Sequence, residues 1–244
     1  MTAAAAKRLA GARVLITRGE DDSAEWAEEL ERRGVRPVLL PCIRSEPIDT
    51  PEMRAALELA VAGADWLVLT SRRGVEACGR LLAPPVRARV ATVGAATADA
   101  ARTLLGRADL VGGGNAAALG AALTSDPSFT AGARVVLALA ANARDELEQV
   151  LAGAGARCTR FDVYRTIPAP PAAPKRALSS LGAERVVLAS PSAASGFVHQ
   201  VDLDVPVAIY TIGPSTTAAA RALGLDVTAE AREPSLEGIL EAMQ

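Results

Sequence analysis

Aromatic residues, histidine and cysteine are scarce in this chain, and each scarcity excludes a class of site. Phe, Trp and Tyr make up only 3% of the 244 residues, so the core must consist mainly of Ala, Val and Leu. His199 is the only histidine, which excludes a histidine-rich metal site and a relay of two histidines. The three cysteines are widely spaced and form no CxxC pair, so we expect neither a zinc site nor a disulfide framework.

Excess charge and long apolar runs are also missing. Lys and Arg total 26 against 28 Asp and Glu, and this net charge of −2 gives no general attraction to nucleic acid or to an anionic membrane. No apolar run is long enough to predict a transmembrane helix. The segment Met1–Ala12 does not follow the pattern of a signal peptide, and together with the expected free thiols this predicts a cytoplasmic protein.

What the chain does contain is a long internal repeat. Three segments recur, two at an offset of 119 residues and one at an offset of 121: Leu69–Gly74 as Leu188–Ala193, Val93–Ala98 as Ile212–Thr217, and Arg13–Ile16 as Arg134–Leu137. Solenoid repeats are several-fold shorter. The repeat therefore predicts two similar half-proteins with a cleft between them.

The pattern within each half is typical of an α/β protein. β-branched runs such as Val14–Thr17 alternate with stretches of helical period such as Ser23–Arg33. Strands that alternate with helices favour parallel sheets covered on both faces. Two proline-containing extended segments, Pro41–Pro47 and Tyr164–Pro174, occupy matching points of the two halves and are predicted to be linkers.

Small hydroxyl residues mark the points where predicted strands pass into helices. Ser71, Thr97, Ser190 and Thr216 all stand near predicted helix N-termini. Unpaired N–H groups and a partial positive charge make such a terminus a site for an anion. Ser and Thr are also preferred structural caps, so a purely structural role is the alternative, and a duplication would copy caps as well.

Tyr164 and a set of arginines are further candidates for chemistry. Tyr164, one of two tyrosines, stands where the second linker begins, so its phenol would face the cleft and could donate a proton. The alternative is a half-buried strand tyrosine. Arginines at strand ends, helix starts and linkers would together suit a polycarboxylate, although each alone is typical of a solvated surface. They are Arg18, Arg44, Arg72, Arg73, Arg144 and Arg165.

Taken in order, these motifs resemble the uroporphyrinogen-III synthase family over about residues 13–243. The matching pieces are Thr17-Arg18, Thr70-Ser71 with Gly74-Val75, Val93-Gly94 with Thr97-Ala98, Val163–Thr166, Ser190–Ser192, and Ile212–Pro214 with Thr216. Each motif alone is weak, and the specificity lies in their order and spacing. Two positions depart from the family: Leu139-Ala140 replaces a frequent Arg-Gly pair, with Arg144 downstream, and Arg73 replaces a frequent Asn.

The resemblance implies a fold and an activity. It implies two α/β domains joined by a two-stranded linker: residues 1–41 with 168–244, and residues 46–163, with linkers at about 41–46 and 164–168. The activity would be that of a cyclising hydro-lyase, which closes hydroxymethylbilane to uroporphyrinogen III and inverts ring D through a spiro intermediate, in heme, siroheme or cobalamin biosynthesis. A non-catalytic tetrapyrrole-binding or regulatory module is the alternative. Without the resemblance, a two-domain binder of a small anion also fits.

The resemblance also implies the site. Tyr164 would be the acid that assists loss of the substrate's terminal hydroxyl. The expected substrate-binding residues are Thr17, Arg18, Ser71, Arg72, Gly94, Thr97, Ser190, Ser192, Gly213, Ser215 and Thr216. The only expected partner is the polycarboxylate substrate, with no metal, organic cofactor, nucleic acid or membrane, and the expected state is a monomer.

Overall fold

The computed structural model describes residues 9–244, which form two compact α/β units. The first unit is Met1–Arg44 with Ile167–Gln244, described from Leu9 onward, and the second is Ser45–Thr166. In chain order the described helices are α1 (Glu20–Arg32), α2 (Pro51–Ala62), α3 (Arg72–Leu81), α4 (Ala95–Leu105), α5 (Ala116–Thr124), α6 (Glu146–Gly153), α7 (Leu178–Leu181), α8 (Pro191–Gln200), α9 (Pro214–Ala222) and α10 (Leu236–Ala242).

The strands form two main sheets and one small one. They are β1 (Arg13–Ile16), β2 (Arg36–Leu39), β3 (Ile43–Pro47), β4 (Trp66–Leu69), β5 (Arg89–Thr92), β6 (Leu110–Val111), β7 (Arg134–Ala140), β8 (Arg157–Pro168), β9 (Arg176–Ala177), β10 (Arg185–Leu188), β11 (Val201–Asp202), β12 (Ala208–Thr211) and β13 (Val227–Glu230). The first unit has the order β13-β12-β10-β1-β2 and the second β3-β8-β7-β4-β5-β6, while β11 pairs with β9.

The first main sheet and the β8-β7-β4-β5-β6 part of the second are built from parallel pairs, which confirms the predicted α/β class. Their central strands are short apolar runs buried on both faces, as in β4, where all four residues are buried. Alternate residues of each strand therefore enter different core clusters: Leu67 and Leu69 enter one, and Trp66 and Val68 enter the other. Helices cover both faces of each sheet.

The two units share one strand order, and this explains the internal repeat. Read from one edge, β6-β5-β4-β7-β8 corresponds to β13-β12-β10-β1-β2. The repeated segments fall on corresponding strands and the turns after them: β4 with β10, β5 with β12, and β7 with β1. The order along the chain is permuted, because the counterparts of β7 and β8 come first in the first unit.

The segments predicted to be linkers are largely strand. β3 spans Ile43–Pro47 and lies beside β8, which continues to Pro168. An extended backbone that prolines tolerate can still pair along an edge, so Tyr164 lies inside a strand rather than at its end. Within residues 9–244, no helix is long and apolar enough to cross a membrane.

Candidate functional site

Each main sheet contains a point where the strand order reverses between parallel neighbours. It lies between β4 and β7 in the second unit, and between β1 and β10 in the first. In open parallel sheets, ligands bind beyond the carboxyl ends of the strands at such a point. Helices α3 and α8 begin there, just after Ser71 and Ser190.

The helices that follow the central strands begin in two different ways. Ser71 Oγ accepts from the Gly74 N–H, and Ser190 Oγ accepts from the Ala193 N–H, both at 3.0 Å. By contrast, the N-cap residues of α4 and α9 are Gly94 and Gly213. Among the described residues, no side chain caps either of these helices. Amide groups in the first turn of α4 thus remain available to an anion. In α9 this holds for the Ser215 N–H, because Pro214 has no N–H and the Thr216 N–H donates to the Gly213 carbonyl at 3.1 Å.

The predicted binding residues differ in exposure. Thr17, Thr97, Gly213 and Thr216 are buried; Arg18, Ser71, Gly94, Ser190 and Ser192 are half-buried; Arg72 and Ser215 are exposed.

Thr17 and Arg18 already have contacts within the first unit. The hydroxyl of Thr17 donates to the Val187 carbonyl at 2.6 Å and thereby ties β1 to β10 where the strand order reverses. The guanidinium of Arg18 stacks 4.4 Å from the ring centroid of Trp26. The hydroxyl of Thr17 has therefore used its proton within the first unit and keeps only its lone pairs.

A β-bulge in β8 sets the direction in which the side chain of Tyr164 points. Leu139 pairs with Asp162 but Ala140 pairs with Tyr164, so Val163 is an extra residue in β8. As a result, Val163 and Tyr164 are both buried, at 0% and 8% exposure.

The phenol of Tyr164 meets the start of α3. Its oxygen lies 2.9 Å from Ser71 Oγ, a contact between residues 93 positions apart in the chain. The predicted acid and one predicted binding residue are thus brought together at the carboxyl edge of one sheet.

One residue at this edge was missed by the sequence analysis. The Arg160 guanidinium donates to the carbonyls of Ala140 at 3.2 Å and Ala143 at 3.1 Å, and pairs with Asp162 at 2.8 Å. The Ala141 N–H donates to the Tyr164 carbonyl at 2.8 Å, so the turn after β7 is held against the strand that carries the phenol. The alternating Arg-Phe-Asp pattern of residues 160–162 was the available signal, because residues i and i+2 of a strand share a face.

The turn after β7 is also where the chain departs from the family that it resembles. Leu139 is buried in β7 at 2% exposure, so its side chain contributes to the core. The side chain of Arg144 is 82% exposed and lies 3.5 Å from Glu146. The arginine that organises this turn is therefore Arg160.

The cysteines do not supply a reactive group. Burial raises the pKa of the Cys42 and Cys78 thiols to about 12, which keeps both protonated near neutral pH. Among the described residues, no group of three or more His, Cys, Asp or Glu side chains is placed to hold a metal ion.

The fold and the site define an α/β protein of two related parallel-sheet units, each with helix N-termini at the carboxyl edge of its sheet. The profile of the family described as uroporphyrinogen-III synthase HemD matches residues 24–241. The chain belongs to this family.

Individual relatives agree with this assignment. The chain is 29% identical to a chloroplastic uroporphyrinogen-III synthase of Oryza sativa subsp. japonica, over 94% of this chain and 79% of the relative. It is 26% identical to a uroporphyrinogen-III synthase of Synechococcus elongatus, over 97% and 96% of the two chains.

Two solved structures share the fold. A mutant uroporphyrinogen III synthase of the extremely thermophilic bacterium Thermus thermophilus is 21% identical, with a TM-score of 0.50 and coverage of 96% of this chain and 97% of that one. A uroporphyrinogen-III synthetase of Helicobacter pylori is 15% identical, with a TM-score of 0.52 and coverage of 94% and 97%. At these identities the likeness shows the fold alone.

Proposed function

We propose that this protein is a uroporphyrinogen-III synthase, a lyase that cyclises hydroxymethylbilane to uroporphyrinogen III and inverts ring D through a spiro intermediate. The observation that carries the proposal is the buried phenol of Tyr164, held 2.9 Å from Ser71 at the start of α3, in a member of this family. A module that only binds a tetrapyrrole needs the helix N-termini but no phenol beside one of them. The pairing of the two groups therefore supports the catalytic function.

The chemistry requires one well-placed proton. Tyr164 donates its proton to the terminal hydroxyl of the substrate, the C–O bond breaks, and water leaves. A cationic azafulvene remains, and the substituted α-carbon of ring D attacks its electrophilic methylene carbon to form the spiro intermediate. Ring D then separates and rejoins in the inverted orientation, and the proton lost on rearomatisation restores the phenol. No electrons are transferred in this step and the phenol supplies the proton, so the reaction requires no metal or organic cofactor. The substrate is reactive by itself, and the main task of the protein is to hold it in the productive conformation.

The eight carboxylates of hydroxymethylbilane would be bound by groups at the strand ends of each unit. The uncapped amides of α4 and α9 and the hydroxyls beside them suit carboxylate oxygens, and Arg18 and Arg72 add positive charge. The proposed binding residues are Thr17, Arg18, Ser71, Arg72, Gly94, Thr97, Ser190, Ser192, Gly213, Ser215 and Thr216.

We also infer the setting in which the protein works. The proposed domains are residues 1–41 with 168–244 and residues 46–163, and the two compact units support them. We propose a cytoplasmic monomer that binds neither nucleic acid nor membrane. Light scattering on the purified protein tests the monomer, since a dimer would double the measured mass.

Product analysis tests the proposed function. The purified protein receives freshly made hydroxymethylbilane, the products are oxidised, and the isomers are separated. Spontaneous closure gives the type I isomer, so a reaction without protein provides the control. A dominant type III isomer supports the synthase. Type I alone from folded protein would contradict it and favour a non-catalytic tetrapyrrole-binding module.

A further inference from the structure

The hydroxyl of Ser71 serves two groups at once. A serine hydroxyl has one proton to donate and two lone pairs to accept with. One lone pair of Ser71 accepts the Gly74 N–H at 3.0 Å, and the phenol of Tyr164 lies 2.9 Å away. Ser71 therefore keeps its proton and one lone pair for the phenol and for a ligand.

The surroundings hold this arrangement in place. A Cβ at residue 74 would lie 3.3 Å from both Ser71 Oγ and the Ala138 carbonyl oxygen, a closer approach than most side chains tolerate. Glycine at this position thus lets the first turn of α3 pack against β7 while Ser71 keeps its cap. On the other side, the bulge at Val163 directs the phenol toward Ser71.

After proton transfer, the hydrogen bond between Ser71 and Tyr164 can have only one direction. Once Tyr164 has given its proton away, its oxygen is negative and can only accept, so Ser71 must donate. A hydrogen bond to a charged acceptor is stronger than one between neutral groups. Tyr164 is 8% exposed, so little water can solvate the phenolate, while the N-terminus of α3 contributes partial positive charge.

We propose that Ser71 is a positioning residue for Tyr164. The Ser71 hydroxyl donates to the phenol oxygen, which leaves the phenol proton free for the substrate. The same hydrogen bond stabilises the phenolate that forms when the leaving hydroxyl is protonated. This inference rests on the proposed function. It differs from a carboxylate-binding role, because here Ser71 acts through Tyr164.

A double-mutant cycle separates the two roles. We expect Ser71→Ala to lower kcat about tenfold, the effect of one charge-assisted hydrogen bond, and to change KM much less, because Ser71 is only one of many proposed binding residues. In the Tyr164→Phe background the same change should have no further effect, since the group through which Ser71 acts is gone. Ser71→Thr keeps a hydroxyl and should restore most of the rate. A raised KM with kcat retained, or equal losses in both backgrounds, would overturn the proposal.

The loss of a helix cap needs its own control. Ser235 caps α10 as Ser71 caps α3, with its Oγ accepting the Gly238 N–H at 3.1 Å. Ser235→Ala should lower stability as much as Ser71→Ala and leave kcat unchanged. If Ser235→Ala lowered kcat equally, the effect of Ser71→Ala would be structural and the proposal would fail.

The inference and the proposed function fail on different outcomes. If the parent forms type III product but Ser71→Ala lowers kcat equally in the parent and Tyr164→Phe backgrounds, this inference fails and the proposed function stands. If no variant or parent makes type III product, the proposed function fails, and the positioning role of Ser71 fails with it.

Discussion

Tyr164 reaches Ser71 because of a single extra residue in β8. Regular alternation along a strand would place Val163 and Tyr164 on opposite faces. Both belong instead to the same core cluster, since the bulge opposite Leu139 and Ala140 interrupts the alternation. The direction of the phenol thus depends on main-chain pairing between β7 and β8, which Arg160 and the Ala141 N–H reinforce.

Removal of the phenol hydroxyl tests the acid directly. Tyr164→Phe should lower kcat about 100-fold, near the lower end for a general acid because the substrate is itself reactive. The ring remains in the core, so substrate binding and thermal stability should stay close to those of the parent. Steady-state kinetics and a binding titration check both parts. An unchanged kcat would exclude Tyr164 as the acid without excluding the function.

The thiols give a prediction that depends on pH. Burial raises the pKa of Cys42 and Cys78 to about 12, above the value of about 8.5 for an exposed thiol. Stability due to these protonated thiols is fully present below about pH 8.5 and is lost as the pH rises toward 12, because only the unfolded chain ionises freely there.

At pH 8, an alkylating reagent should modify half-buried Cys158 first and the other two only on unfolding. Mass spectrometry after timed quenching checks the order, with Cys158→Ser as the control, and equal rates at all three sites would contradict it.

The site was only partly predictable at the residue scale, for a physical reason. Ser71 and Tyr164 carry local signals, a hydroxyl where a helix begins and a rare phenol at a proline-containing segment. Their contact carries no such signal, because it depends on strand register across 93 residues and on one bulge. Arg160 and Asp162 share a strand face, which was a weak signal for their pairing. The other partners of Arg160 are main-chain carbonyls of a turn, which leave no trace in residue types.

Helix α8 connects a strand-end serine to two extended segments of the first unit. Its N-terminus follows Ser190, while Gln200 near its C-terminus donates to the Pro41 carbonyl at 3.0 Å. Between them, a Cβ at Gly196 would lie 1.7 Å from the Cys42 carbonyl oxygen and 3.0 Å from the Ala169 nitrogen. Only glycine allows the helix to pack this closely on the backbone.

Gly196→Ala should therefore destabilise the protein strongly, by about 3 kcal/mol or more, since a backbone carbonyl cannot give way as a flexible side chain can. Gly153→Ala is the matched control: Gly153 ends α6, and a Cβ there would meet nothing within 4 Å. That change should be neutral or stabilise by up to about 1 kcal/mol, as Ala favours helix over Gly. Urea unfolding of the two variants gives the comparison, and equal stabilities would show that α8 shifts without cost.

At the scale of elements, local sequence patterns predicted the individual strands and helices better than they predicted which strands pair. Alternating apolar runs and helix-period stretches indicated β1, β4, β10 and their helices, because those signals lie within a few residues. The extent of β8 to Pro168 was not predicted, because the proline-containing segment from Tyr164 to Pro174 was interpreted as a linker. Whether an extended segment pairs depends on a neighbour such as β3 that sequence patterns do not identify.

At the scale of the whole molecule, the shared strand order shows that the sequence repeat reflects two units of the same architecture. The second unit carries its five corresponding strands in one continuous segment, whereas the first unit carries the counterparts of β7 and β8 before the rest. The first unit is therefore discontinuous along the chain. Only the second unit can be produced as a single uninterrupted fragment.

We expect a fragment of residues 45–166 to fold by itself. Its two core clusters are made from residues of that segment alone, and about 120 residues is an ordinary domain size. The fragment should show a cooperative thermal transition by circular dichroism and dispersed amide resonances. A fragment of residues 45–155 lacks β8, including Val163 and Tyr164 of one core cluster, and provides the control that should not fold. If residues 45–166 also failed to unfold cooperatively, the second unit would depend on the rest of the chain for its stability.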